Sequence, residues 1–228
     1  QLKITVIGVG NTAPVARNDV GVIAEDETLS VSDGSNKNLV PGQGTTIDIS
    51  GEHSGDVINT SSTTHYDTDA DGDTIVVSSV RTGSSEGSGT AGTLGQALTG
   101  TYGQLTLNAN GSYTYVANQS AADELDLNDE VTDVFNYTIS DGNGGTDIGT
   151  ITITVIGVND VPTAQDDVGV IAEGSTLTVA NSANATLTGD SYDATGENSG
   201  DLIDTSSASH TDSDADASSS LSITHIKL

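Results

Sequence analysis

Cysteine is absent from the 228 residues, as are methionine and tryptophan. Without cysteine no disulfide can staple the fold, and no thiolate can hold zinc or iron. Basic residues are nearly as scarce: five Lys and Arg stand against 33 Asp and Glu, a formal net charge of −28. Nucleic acid and anionic membrane surfaces are poor partners for that charge. No apolar run is long enough to span a bilayer and no secretory signal is visible, so membrane insertion is not expected within this segment. Six Tyr, one Phe and a hydrophobic content of 33% approach the composition of disordered chains.

Patterning argues for a folded β protein. Phe135, Tyr137 and Ile139 alternate with polar Asn136 and Thr138, and Leu105, Leu107, Tyr113 and Tyr115 alternate around a turn at Asn110-Gly111. Strands are expected at Ile4–Val9, Gly21–Ala24, Thr28–Val31, Thr46–Ile49, Thr74–Val80, Gly103–Leu107, Ser112–Val116, Val134–Ile139 and Gly149–Val158. Only Ala121–Asp129 has helical composition, enough for a single turn. Asp33-Gly34, Pro41-Gly42, Asp71-Gly72 and Asp141-Gly142 read as turns, and Ser32–Gly44 and Ser84–Gly95 as long loops. Short β runs at this spacing predict an all-β fold, an antiparallel Greek-key β-sandwich.

The sequence also repeats. ITVIGV at Ile4–Val9 returns at Ile153–Val158, DVGVIAE at Asp19–Glu25 returns at Asp167–Glu173, and the segment Ser54–Asp71 is echoed by Ser199–Asp216. The offset is 148 at Val20 and Val168 and 145 at His65 and His210. The expected organisation is the last strand of one copy in residues 1–10, a complete copy in 11–158 and the first half of another in 159–228. With no initiator Met, the chain reads as a segment of something longer. Repetition of a domain-sized unit favours an array, in which each copy adds length or valency.

A surplus of carboxylates opposes compaction unless cations screen or bind it, and oxygen-ligated calcium is the clamp this composition can supply. The sharpest candidate is DTDADGD, with Asp67, Asp69, Asp71 and Asp73 at every second position and Gly72 permitting a tight turn. It overlaps the start of an EF-hand loop but has Ser78 where the bidentate acid would stand, so remaining ligands must come from elsewhere. The second copy keeps Asp212, Asp214 and Asp216 but lacks the Gly and the last Asp, which predicts a weaker site. The competing reading of both is a solvated acidic turn.

The segments VGVIAEDETLSV, DTDADGDTIVVSSV, GTYGQLTLNANGSYTYVAN and VTDVFNYTISDGNGGTDIGTITITVIGVND resemble the VCBS and bacterial cadherin-like repeats of giant RTX-type adhesins. The resemblance covers Asn11–Asp160. It implies an Ig-like or cadherin-like β-sandwich, arrayed in tandem on secreted bacterial surface proteins, where most copies extend a terminal adhesive domain and calcium is commonly bound. The junction of Asn159, Asp160, Asp166 and Asp167 around Pro162 resembles the acidic linker of cadherins, in which shared calcium stiffens the joint. Glu25 and Glu173 follow their junctions by a few residues, and Asp141, Asn143 and Asp147 lie in the loop before the last strand, so they join the candidate metal ligands. A polar, Pro-restricted linker is the alternative there.

Catalysis is not expected. His65 and His210 are repeat-equivalent, His53 and His225 stand in no metal or triad motif, and neither G-x-S-x-G nor H-E-x-x-H occurs. Lys3, Lys37 and Lys227 stand in no motif for an isopeptide bond. The leading expectation is a calcium-rigidified extender of a secreted, cell-surface adhesin supporting adhesion and biofilm, with neighbouring repeats as partners. Two alternatives stand beside it. One is an extracellular filament subunit completed by strands of like chains. The other is a polysaccharide-binding module presenting Tyr66, Tyr102 or Tyr192.

Overall fold

Short β-prone runs separated by Gly, Asn and Asp turns become strands in the order in which they stand in the chain. The computed structural model describes residues 2–4, 8, 10–34, 39–40, 55–58, 65–166, 170–171, 173–174, 176, 187–188 and 212–226. These fall into two units, Gln1–Val158 and Asn159–Leu228. In the first, β1 (Asp19–Ala24), β2 (Thr28–Val31), β3 (Leu39–Val40) and β4 (Val76–Thr82) are followed by β5 (Ala97–Thr99), β6 (Gln104–Leu107) and β7 (Tyr113–Val116). A helical turn, α1 (Ser120–Asp123), then leads into β8 (Glu130–Ser140) and β9 (Thr146–Ile156).

Two sheets pack face to face, in the orders β3-β1-β9-β8-β4 and β2-β7-β6-β5. On β9 the side chains of Ile151, Ile153 and Val155 are buried while Thr150, Thr152 and Thr154 are half-exposed, the period of two that a pleated strand imposes. Phe135, Tyr137 and Ile139 are likewise buried on β8, where Asn136 between them is buried too and donates its side-chain amide to the Gly83 carbonyl at 2.9 Å. In the facing sheet Leu105 lies opposite Tyr115 and Leu107 opposite Tyr113, and β2 sets Leu29 and Val31 against the same two tyrosines. Tyr115 and Phe135 meet edge to face with centroids 6.3 Å apart, a contact worth about 0.5–1.5 kcal/mol beyond the area it buries.

The expected sandwich is therefore formed, and its first sheet contains pairings that alternation alone does not announce. β1 runs parallel to β9, from Asp19 beside Ile151 to Ala24 beside Ile156, and parallel to β3. Parallel neighbours need a long crossover, so no local turn signal marks them. β3 falls inside the predicted loop Ser32–Gly44, and β5 is a three-residue strand among glycines that was not expected at all. The predicted strand Thr46–Ile49 lies outside the described residues.

The predicted strand Ile4–Val9 lies mostly outside the described residues. Of the predicted strand Ile4–Val9, the described residues Ile4 and Gly8 are not in a strand, and Leu2 and Ile4 are 85% and 76% exposed. The same letters at Ile153–Ile156 sit in β9 between ladders supplied by β1 and β8. In β9 those two neighbours take the strand's backbone hydrogen bonds on both edges.

In the second unit β10 (Val170–Ile171) runs parallel to β11 (Leu187–Thr188), with Val170 beside Leu187. Val22 stands beside Leu39 in the same way 148 residues earlier. The bridge between Thr163 and Ser213 likewise repeats the one between Val15 and Thr68. The second unit thus opens with the local pairings that open the first.

A buried carboxylate fastens the two sheets at one side. Asp133 lies on the core-facing side of β8 and accepts the N–H groups of Thr101 (2.8 Å), Tyr102 (3.0 Å) and Gly103 (3.1 Å), together with the Tyr115 hydroxyl (2.7 Å). A methyl group at Gly100 would collide with this carboxylate, so the loop between β5 and β6 closes tightly around it. Replacing Asp133 by Ala strands three N–H donors and is expected to cost roughly 2–5 kcal/mol, against about 1 kcal/mol for Tyr115→Phe. Urea unfolding of the two variants measures this; an unchanged Asp133→Ala midpoint would show that water satisfies the loop equally well.

Candidate cation site

The parallel register of β1 and β9 brings the segment before β1, Asn11–Asn18, alongside the β8–β9 turn. The acidic loop Asp67–Asp73 closes on that segment from the other side. Val15 and Thr68 exchange backbone hydrogen bonds of 2.7 and 3.1 Å. The carboxylates on either side of Thr68 and beyond it take the remaining donors: Asp67 Oδ1 accepts from Arg17 N at 2.6 Å and Asp71 Oδ2 from Thr12 N at 2.6 Å. From β9, Asp147 Oδ2 accepts from Ala16 N at 2.8 Å. From the turn, Asp141 Oδ2 accepts the Asn11 side-chain amide at 2.7 Å.

Both loops shape themselves with the same chemistry. Asp69 Oδ1 accepts the N–H groups of Asp71 (2.8 Å) and Asp73 (3.2 Å), and Gly72 takes φ +79° to close the turn. Asp141 Oδ1 accepts the N–H groups of Asn143 (2.7 Å) and Gly145 (3.0 Å), with Gly142 and Gly144 at positive φ. The Asn143 side chain joins the loops by donating to Asp73 Oδ2 at 2.9 Å.

The result places carboxylate oxygens of Asp69, Asp73 and Asp141 all within 4.8 Å of one another. Oxygens bound to one calcium at 2.3–2.6 Å lie at most about 5 Å apart, so the spacing suits a hard divalent cation. The donor set is oxygen only, which disfavours zinc and other thiolate- or imidazole-seeking metals. Asp67 Oδ2 and Asp69 Oδ2 are buried and have no hydrogen-bond partner among the described residues. Asp67 itself is 2% exposed. Groups of this kind fit a bound cation, because an uncompensated buried carboxylate is costly.

The titration behaviour reflects these surroundings. Burial pushes the Asp67 carboxyl up to about 7; the Arg17 N–H opposes the shift, and the charges of Asp147 and Asp56 reinforce it. Asp141 is held below its ordinary value chiefly by the Asn11 amide, with the Asn143 and Gly145 N–H groups adding to the effect against burial. The Tyr137 hydroxyl, 2.6 Å from Asp19 Oδ2 and 3.0 Å from the Arg17 carbonyl, is raised well above its ordinary value by burial and by Asp19, Asp67 and Asp56.

Not all expected ligands converge. Asp67, Asp69, Asp71, Asp73, Asp141, Asn143 and Asp147 gather at the end of the sandwich where β1 and β9 begin. Glu25 lies where they finish: it is buried and accepts the Val158 N–H. In the second unit Asp212 Oδ1 accepts Gln165 N at 2.8 Å, Asp216 Oδ2 accepts Asp160 N at 3.1 Å, and Asp214 Oδ1 accepts Asp216 N at 3.1 Å. These contacts reproduce, residue for residue, those made by Asp67, Asp71 and Asp69. Asn159 donates to its neighbour's carbonyl, while Asp166 and Glu173 are exposed. Asp167 lies outside the described residues.

Asn11, Asp19 and Asp56 are participants that motif reading passed over. Asp56 accepts the Ile58 N–H at 2.9 Å and the Gly34 N–H. Its only sequence signal was the recurrence of Ser-Gly-Asp at Ser54–Asp56 and Ser199–Asp201.

The raised Asp67 value has a definite sign. Its proton is held more tightly in the folded than in the unfolded chain, so the associated stability is full below the ordinary value of 3.8 and is lost as pH rises through about 7. In chelator, the unfolding free energy is expected to fall as pH rises from about 4 to about 7, by a few kcal/mol at most, and Asp67→Asn should flatten that slope. A slope identical in both proteins would place the titrating group elsewhere.

Comparison with known families agrees with this architecture. The sequence model of the bacterial cadherin-like domain matches residues 11–157. Comparison with curated proteins gives no match. No helix among the described residues is long and apolar enough to cross a membrane. Domains of this kind are non-enzymatic β-sandwiches, typically extracellular and related to adhesion. The chain belongs to the bacterial cadherin-like domain family.

Proposed function

We propose that this chain is an extender segment of a secreted bacterial surface adhesin of the RTX type, one stretch of a tandem array that calcium stiffens. Residues 11–158 are then one complete repeat, preceded by the end of one copy and followed at 159 by the beginning of another. The observation that carries this reading is the acidic loop's grip on the lead-in segment, made twice. In each unit alternate carboxylates of the loop hold backbone N–H groups of the residues that lead into the domain. In the first unit Asp69, Asp73 and Asp141 stand close enough to share an ion beside that segment.

A cation there would neutralise carboxylates that otherwise repel, and would tie the lead-in segment, the acidic loop and the β8–β9 turn into one body. The junction residues Asn159, Asp160, Asp166 and Asp167 would serve the second unit in the same way, with Glu25 and Glu173 as further oxygen donors near their junctions. Fewer carboxylates in Asp212–Ser218 imply weaker binding in the second unit. A sugar-binding role has less support, because Tyr113, Tyr115, Phe135 and Tyr137 are all consumed by the core.

Thermal unfolding tests the reading. Titration with calcium from a chelated start, with magnesium at matched ionic strength, should give a calcium-selective rise, worth about 2.7 kcal/mol at a hundredfold excess over Kd. The double variant Asp69→Asn, Asp73→Asn should lose most of the rise. Equal responses to both ions, retained in the variant, would mean charge screening and sink the proposal.

A further inference from the structure

Only two Asn-Gly pairs occur in the chain, Asn110-Gly111 and Asn143-Gly144, and both asparagines are exposed. This dipeptide is the most prone to lose its side-chain amide, because glycine has no Cβ to keep its nitrogen away from the neighbouring side-chain carbonyl. The fold treats the two pairs differently. Gly111 is buried against Ile58, its N–H is engaged by the Asn108 carbonyl at 3.1 Å, and Asn110 Oδ1 is held by the Ser112 hydroxyl at 2.8 Å. Gly144 is exposed, a side chain there would meet nothing within 4 Å, and its N–H has no partner among the described residues. Asn143 is held only through its own N–H and through its amide N–H on Asp73, which leaves its carbonyl carbon open to attack.

We propose that Asn143 is a site of spontaneous deamidation through a cyclic imide, and that the fold protects Asn110 from the same reaction. The Gly144 nitrogen gives its proton to water and bonds to Asn143 Cγ. The Cγ–N bond breaks, and the amide leaves as ammonia after taking a proton from water. A water molecule then opens the ring at either carbonyl, giving aspartate or isoaspartate, so one amide and one water become one acid and one ammonia. No oxidant or enzyme is needed.

The position makes the change consequential. The new carboxylate can no longer donate to Asp73 Oδ2 and becomes a fourth negative charge beside Asp69, Asp73 and Asp141. The isoaspartate product also lengthens the backbone inside the turn whose Asn143 and Gly145 N–H groups hold Asp141 in place. A further consequence rests on the cation reading: an ion that gathers these oxygens immobilises the turn and retards ring closure.

The test is peptide mapping of the whole folded chain, incubated in mildly alkaline buffer with chelator, with calcium, and in denaturant, using elastase fragments and isoaspartyl methyltransferase labelling. In chelator, acid should accumulate at residue 143 several-fold faster than at 110, and the two rates should converge in denaturant. Equal rates in the folded chain, faster conversion at 110, or an intact amide at 143 would overturn the proposal. Calcium should slow residue 143 alone. An unchanged rate at 143 in calcium would count against the cation coupling while leaving the modification site established.

Discussion

The parallel pairing of β1 with β9 is the constraint on which the rest of the first unit depends. With Asp19 beside Ile151, the chain before β1 must run past the β8–β9 turn, and every contact of the candidate site follows from that proximity. Asn11 can reach Asp141, Ala16 can reach Asp147, and the acidic loop can close on Val15 and Arg17 only because the register puts them there. The same pairing seals the core. β9 lies between β1 and β8, so its inward Ile151, Ile153 and Val155 are fully covered.

A chain with so few basic residues cannot neutralise its carboxylates by ion pairs, and it holds many of them with backbone amides instead. Asp56, Asp67, Asp69, Asp71, Asp133, Asp141 and Asp147 all accept main-chain N–H groups. Charge-assisted bonds of this kind are short and directional, so the carboxylates act as staples between segments distant in sequence. Their limit is electrostatic. An N–H dipole orients a carboxylate without cancelling its charge, and where several gather, as around Asp69, Asp73 and Asp141, the residual repulsion favours a cation or protonation. The two stapling devices divide the sandwich: Asp133 is fully engaged inside one side, whereas at the lead-in end Asp67 Oδ2 and Asp69 Oδ2 have no hydrogen-bond partner among the described residues.

Much of the sheet was legible from alternation. Thr28–Val31 was read with its observed limits, and β4, β6, β7, β8 and β9 lie where alternating residues predicted strands, longer or shorter by a few positions. The single helical turn, Ser120–Asp123, overlaps the start of the stretch Ala121–Asp129 that composition marked. What escaped were the elements with too few residues to show a period, β3 and β5. At the site, DTDADGD and the Asp141–Asp147 turn were visible because they combine acids with glycine at turn spacing. Asn11 and Asp56 were not, because a lone polar residue carries no periodic signal, and Glu25 lies at the far end of β1 from the cluster.

The sequence by itself determined the β class, the repeat, the inward-facing residues and the excess of oxygen donors, since each is written in local order: alternation, recurrence and charge. Only the tertiary structure decided which carboxylates come together and which strands run parallel. Those outcomes depend on pairings between residues more than a hundred positions apart, such as Asn11 with Asp141 and Val22 with Thr154. Hydrogen bonds over that separation are set by the register of whole strands, which no short window of sequence contains.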